Sequence, residues 1–436
     1  MEFFPDPSGH HQLAILFFLQ LALILLVCRA VGLLARRVGQ PQVMGEMIAG
    51  VLLGPSLLGA VAPGVYTTLF PPESKRVIYA VAQVGLALYM FLVGVEFDLD
   101  LIRKRVRGAA AVSLVGMVVP FTLGAVLATF LAEDRGLFPD ESTRLVQAML
   151  FMGSAMAITA FPMLARILHE SGMAGSPVGV LALAAGAVDD AAAWCLFAVV
   201  LATFSDDATI AVAAIVGGVL YAAVCLLVVR PMLRGLGRAV ERRGEMSSAT
   251  LALVLAMLMA ASWFTDAIGI YSVFGAFILG VCMPRGAFAK ELRSRIGPLT
   301  TALLVPLFFV YSGLNTKLGL VNTAELWGLT VIVLVAACVG KGVACWAAAR
   351  LAGETEREAR GVGALMNARG MMELILLNIG YERGIISQSL FSIMVVMALV
   401  TTLMATPVFE RVYAARERRE RKGESRGTTD EGGEML

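Results

Sequence analysis

Two adjacent carboxylates, Asp189 and Asp190, stand in the middle of a long apolar run from Ser176 to Phe204. Small and apolar residues lead into the pair from Val178 to Val188, and another such stretch leads out from Ala191 to Thr203. A charge at the centre of a membrane helix costs roughly 2.5–3.5 kcal/mol on translocon scales unless it meets water or a partner, so two of them mark a functional site. Successive helical residues point about 100° apart, so the acids face two directions. One can face an aqueous cavity while the other meets a neighbouring helix. Placing them in a loop would need a break that Ala191-Ala192-Ala193-Trp194 does not supply.

Few other ionisable residues lie deep in apolar sequence. Lys341 sits between Val335 and Cys345, too deep to snorkel easily, and an isolated ammonium there would shed its proton or find a carboxylate. Asp189 is the natural partner, which leaves Asp190 for the cavity. Arg369 falls at an interruption of an apolar run, where free carbonyls and helix-end dipoles call for charge compensation. Its expected role is architectural rather than ion-binding, and Glu373 is spaced either to pair with it at i,i+4 or to take part in the ion path. Glu46 is expected near a buried interface, Arg29 near a helix end where it can snorkel, and Glu96 and Asp98 at a solvated rim. His10, His11 and His169 fall away from the membrane centre, so no histidine relay is indicated.

The elements that must position these residues are membrane helices. Hydrophobic residues make up 58% of the 436 and charged ones 16%, with a mean hydropathy of +0.80, which describes a polytopic, all-α membrane protein. Spans of about 20 apolar residues number thirteen: 12–35, 41–60, 77–97, 108–132, 145–169, 176–204, 208–234, 248–265, 269–284, 297–315, 325–350, 359–381 and 388–412. The odd-numbered loops and the tail carry 26 basic residues and the even-numbered ones 6. The positive-inside rule then puts the N-terminus outside and the C-terminus in the cytoplasm, in what is expected to be a bacterial plasma membrane. Met1 to His11 is polar and acidic, unlike a cleavable signal. Residues 416–436 are too polar and too short to fold and are expected to be a disordered cytoplasmic tail. No nucleotide-binding module follows the spans, which argues against a ligand-gated efflux system. The bases are dispersed rather than gathered in one patch, so no nucleic acid is implied. Six cysteines lie inside apolar segments without metal-type spacing and read as small core residues. No cofactor and no catalytic residue set is expected, and the chain does not read as an enzyme.

Two spans contain helix breakers. The fifth carries Ile158-Thr159-Ala160-Phe161-Pro162, and the twelfth carries Asn367-Ala368-Arg369-Gly370. They lie an odd number of spans apart and so run in opposite directions. A matched pair of interrupted helices points to an inverted-repeat secondary transporter with its site at the midplane.

These blocks carry a resemblance. Gln40-Pro41-Gln42-Val43-Met44-Gly45-Glu46 with Gly50 to Ser56, Ile158 to Arg166, Ala187-Val188-Asp189-Asp190, and Asn367 to Gly370 occur in this order at matching depths. The chain resembles the monovalent cation:proton antiporter superfamily, in the branch of bacterial sodium or potassium/proton antiporters and plant cation/proton exchangers. The resemblance implies a sodium/proton antiporter-like fold. Within the membrane domain, 1–415, it gives core helices over 108–204 and 325–412, with the two interrupted helices crossing. It gives scaffold helices over 12–97 and 248–315 that form a homodimer, and a linking helix over 208–234. It also implies that Asp190 binds cation and proton in turn, that Asp189 pairs with Lys341, and that Thr159 and the Ala160 carbonyl complete the cation shell. Two positions depart from relatives. Plant exchangers usually have Asn where this chain has Asp189, which leans toward the charge-moving bacterial subtype, and a serine found in some relatives is Gly186 here.

The expected function is exchange of Na⁺ or K⁺ for protons by competition at Asp190. A deprotonated carboxylate with hydroxyl and carbonyl oxygens suits a hard cation. Either loaded form cancels the buried charge and lets the site cross the barrier. A cation channel is the first alternative, but it would need a filter of repeated carbonyls or a charged ring, and no such sequence occurs. A sodium-coupled organic-anion symporter is the second, and it would want a basic pocket where this chain offers one lysine already claimed by an acid.

Overall fold

The computed structural model describes residues 10–96, 106–131, 136–139, 145–204, 208–268 and 272–414. Among these every regular element is helical. The chain runs through α1 (His10–Arg37), α2 (Gln42–Leu53), α3 (Pro72–Glu96), α4 (Val106–Leu131), α5 (Leu145–Ala157), α6 (Phe161–Glu170) and α7 (Pro177–Phe204). It continues through α8 (208–243), α9 (Ser248–Ala267), α10 (Ser272–Cys282), α11 (287–314), α12 (324–351), α13 (Glu356–Met366), α14 (Met371–Glu382) and α15 (Gln388–Phe409). The tail and the loop holding Asp98 lie outside the described residues.

Nine helices among the described residues are long and apolar enough to cross a membrane, and Leu145–Ala157 and Ser272–Cys282 are apolar but shorter. A count of thirteen adds to these nine α7, α10, α5 read with α6, and α13 read with α14, each as one crossing. The second expected span, 41–60, counts among the nine as Gln42–Val61, but its regular helix is interrupted. It ends at Leu53, and two short helices, Leu58–Val61 and Pro63–Leu69, follow. Gly54-Pro55 supplies the break, because proline disfavours a helical conformation in the residue before it.

Helix starts follow local chemistry. Ser176 precedes α7, accepts from the Gly179 N–H at 3.1 Å and is followed by proline. Thr355 and Glu358 make a reciprocal capping box at α13. Ser247, Thr323 and Ser387 accept first-turn N–H groups of α9, α12 and α15. Three helices, α8, α11 and α12, pass through single π-helical stretches at Cys225–Val229, Thr300–Leu304 and Cys338–Val343.

Two sets of neighbours emerge. Helix α3 packs on α10 and α11, α2 on α1 and α11, and α9 on α10. Helix α4 packs on α5, α7 and α12, while α13 packs on α7, α12 and α15. Small residues permit the tightest approach. A Cβ on Gly313 of α11 would lie 2.0 Å from the Gly50 carbonyl carbon of α2, so only hydrogen fits there. Between the sets the seam is largely apolar, with Met47, Val51, Phe309, Leu374, Val395 and Leu399 around a small void.

Candidate functional site

Helix α5 ends at Ala157, and residues 158–160 are non-helical before α6 begins. Pro162 falls in the first turn of α6, where a missing N–H costs nothing. Helix α13 ends at Met366, and α14 begins at Met371. The two breaks touch through their backbones, the Ala160 N–H donating to the Ala368 carbonyl at 3.3 Å. Where two helices stop in a membrane their end groups need partners from within the protein.

Those partners are the buried cations. Arg369 donates to the Ala155 carbonyl at 3.1 Å and to the Met156 carbonyl at 2.7 Å, and Lys341 Nζ donates to the Ala157 carbonyl. Three successive carbonyls at the negative end of α5 are thus held by two positive side chains. Arg369 Nη1 also lies 3.5 Å from Glu373 Oε2, and Lys341 Nζ lies 3.0 Å from Asp189 Oδ2, with all four side chains fully buried. Glu373 stands in the first turn of α14, where the helix dipole favours a negative charge.

The Thr159 hydroxyl donates to Asp189 Oδ2. The reason is register: the oxygen of Asp189 that meets Lys341 also faces the α5–α6 break, so hydroxyl and ammonium converge on it. The Ala160 carbonyl accepts from Leu164 N at 2.9 Å in the first turn of α6 and keeps a second lone pair.

Asp190 stands apart from this network. It is 2% exposed, and neither carboxylate oxygen makes a hydrogen bond within the protein. The Phe161 backbone N–H at the start of α6 interacts with its carboxylate. With every group ionised, Asp189, Asp190 and Glu373 set three negative charges against the two of Lys341 and Arg369. One negative charge remains, and it belongs to Asp190, since the other four form two pairs.

Comparison with known proteins decides what such a site belongs to. The family model for "Sodium/hydrogen exchanger, transmembrane" matches residues 22–414. The chain belongs to the sodium/hydrogen exchanger family. This exchanger is 37% identical over 403 residues to the Na(+)/H(+) antiporter NhaS4 of Synechocystis sp., covering 92% of this chain and 98% of that one. It is 36% identical over 401 residues to Cation/H(+) antiporter 17 of Arabidopsis thaliana (91% and 48%) and 32% identical over 409 residues to K(+)/H(+) antiporter 1 of Saccharomyces cerevisiae (91% and 46%). The exchanger therefore spans about half the length of these plant and yeast relatives. In fold it is similar to the solved sodium proton antiporter MjNhaP1 of Methanocaldococcus jannaschii, with a TM-score of 0.61 at 12% identity over 91% of this chain and 96% of that one.

Sequence reasoning missed several residues that shape this exchanger. Thr402 of α15 accepts from the Arg369 N–H at 3.0 Å, and its single hydroxyl proton is shared between the Arg369 carbonyl at 2.8 Å and the Ala398 carbonyl at 2.7 Å. The π-helical stretch of α12 carries Lys341, and the flanking glycines were its one visible signal. Gly342 and Gly363 let α12 and α13 approach, since a Cβ on Gly363 would lie 2.6 Å from the Gly342 carbonyl oxygen. Polar links between α11 and α14, Tyr311 to Glu382 at 2.8 Å and Asn315 to Asn378 at 3.3 Å, carried no pattern that distinguishes them from ordinary helix-end residues. Glu96, expected at a solvated rim, pairs with Arg293 at 2.8 Å. Glu46 is 1% exposed and accepts from Gln42 at 3.3 Å. No group of three His, Cys, Asp or Glu side chains that could hold a metal occurs among the described residues.

Proposed function

We propose that the protein exchanges Na⁺ or K⁺ for protons by competition at Asp190. The observation that carries this reading is the bare, buried carboxylate of Asp190 beside two closed ion pairs. A proton or a monovalent cation neutralises its charge, and the empty site would cross low dielectric only at a cost of several kcal/mol. Coupling then needs no separate gate. The relatives named for sodium and for potassium exchange both support an alkali cation, which oxygen ligands suit. Thr159 keeps lone pairs for the ion while its proton serves Asp189. The Ala160 carbonyl supplies a further oxygen.

In this reading Lys341 and Asp189 keep one site charge matched, and Arg369 with Glu373 pins the crossing. The helices over 108–204 and 325–412 move as a core against a scaffold over 12–97 and 248–315, joined by 208–234, and the apolar seam supports such sliding. The scaffold is the surface for a homodimer, in a bacterial plasma membrane with the N-terminus outside.

Asp190→Asn in proteoliposomes is the test. Cation-driven proton movement should vanish while the protein stays folded. Persistent exchange in that variant refutes the assignment.

A further inference from the structure

A cavity of mixed polar and apolar lining lies away from the helix breaks, where α9 ends and α10 begins, with Val84, Ala87, Met259 and Trp263 on its apolar side. It has a volume of about 280 Å³ and lies among α3, α9 and α10. Its polar lining is Tyr79, Gln83, Ser262, Asp266 and Ser272, and no basic residue lines it among the described residues. Every one of those side chains offers an oxygen, and one carries a negative charge. Ser262 is 7% exposed, yet its hydroxyl has no hydrogen-bond partner in the protein.

We propose that this cavity is a second, superficial site for the transported alkali cation, on helices that do not carry Asp190. The volume is ample for several waters, so an ion enters with part of its hydration shell. One carboxylate among neutral oxygens suits a monovalent ion, because divalent sites recruit several charged ligands or keep tighter geometry. The cavity also touches the seam. The Tyr79 ring lies 5.0 Å from that of Tyr311, whose hydroxyl donates to Glu382 at the end of α14 at 2.8 Å. An ion held at Asp266 is concentrated next to the boundary across which the core is proposed to move, and it raises the local supply to one face of the exchanger.

This inference rests on the exchange of alkali cations proposed above, and the experiment separates the two. The full-length protein is placed in sealed vesicles, and the apparent KM for Na⁺ or K⁺ is measured from each face. Asp266→Asn should raise the KM on the face bearing the α9–α10 connection, relative to the opposite face, by roughly three- to fivefold, the size of an exposed charge interaction. Asp266→Glu should restore the ratio, and Ser262→Ala should move it in the same direction as Asp266→Asn. In crystals of the full chain soaked with Tl⁺, an anomalous peak should occupy the cavity and disappear in Asp266→Asn. An unmoved KM ratio, a cavity without Tl⁺, or a lipid ammonium headgroup in its place each overturns the proposal. Loss of the Tl⁺ peak at Asp190, or exchange that survives Asp190→Asn, counts against the transport site instead and leaves the cavity result readable.

Discussion

Lys341 Nζ lies 3.0 Å from Asp189 Oδ2, joining α12 to α7 at a point where neither side chain touches solvent. Removing one member of a buried pair leaves an uncompensated charge, at a cost of about 3–5 kcal/mol. Lys341→Ala should therefore lower thermal stability by that order, and Lys341→Ala with Asp189→Asn should recover much of the loss. Unfolding of both variants in detergent, compared with each single change, measures the coupling. A double variant whose loss equals the sum of the two single losses would show that the contact is energetically idle.

Arg369 holds the end of α5 through two carbonyls as well as facing Glu373. Lysine presents a point charge and cannot fork between them. Arg369→Lys is expected to destabilise the protein and to lower exchange more than Glu373→Gln does, because the carbonyl bonds are shorter than the 3.5 Å ion pair. Parallel melting curves and transport rates decide it, and the reverse order would place the structural weight on Glu373.

Thr402 accepts from one backbone group of Arg369 and donates to another. Thr402→Val keeps the shape and removes both bonds, leaving buried groups unsatisfied at about 1–3 kcal/mol each. Reduced exchange with reduced stability is expected, whereas Thr402→Ser should retain both. A valine variant indistinguishable from the parent protein in melting and in rate would remove Thr402 from the account.

Competition at Asp190 has a definite sign with pH. Below the site's pKa the proton occupies the carboxylate, so apparent cation affinity should fall by up to about tenfold per pH unit for a single competing proton. Above it affinity should level off. Apparent KM for Na⁺ or K⁺ measured across pH checks this, and a KM independent of acidity while exchange continues would contradict competition.

Tyr311 and Glu382 join α11 to α14 across the seam. If the two helix sets move past each other, this bond must break in each cycle. Tyr311→Phe should change the transport rate while leaving the Lys341–Asp189 region intact, with a stability change of about 0.5–1.5 kcal/mol. Rates and melting compared with Glu382→Gln test whether both substitutions act through one bond. Additive effects on rate would argue that they do not.

The chain alone determined the membrane environment, the helix breaks and the charged residues too deep for lipid. These follow from local composition: apolar length sets a span, Pro162 and Asn367 to Gly370 interrupt one, and a mid-span Asp190 or Lys341 is costly wherever it folds. Tertiary structure decided which oxygen meets which donor. Thr159 turned to Asp189 because the α5–α6 break and α12 converge there, and Thr402 reached Arg369 from the next helix. The π-helical stretch at Lys341 and the α11–α14 links were likewise invisible to spacing. Hydrophobicity is legible residue by residue, whereas a hydrogen bond across the bundle depends on rotation and depth of two helices at once. A single sequence records neither.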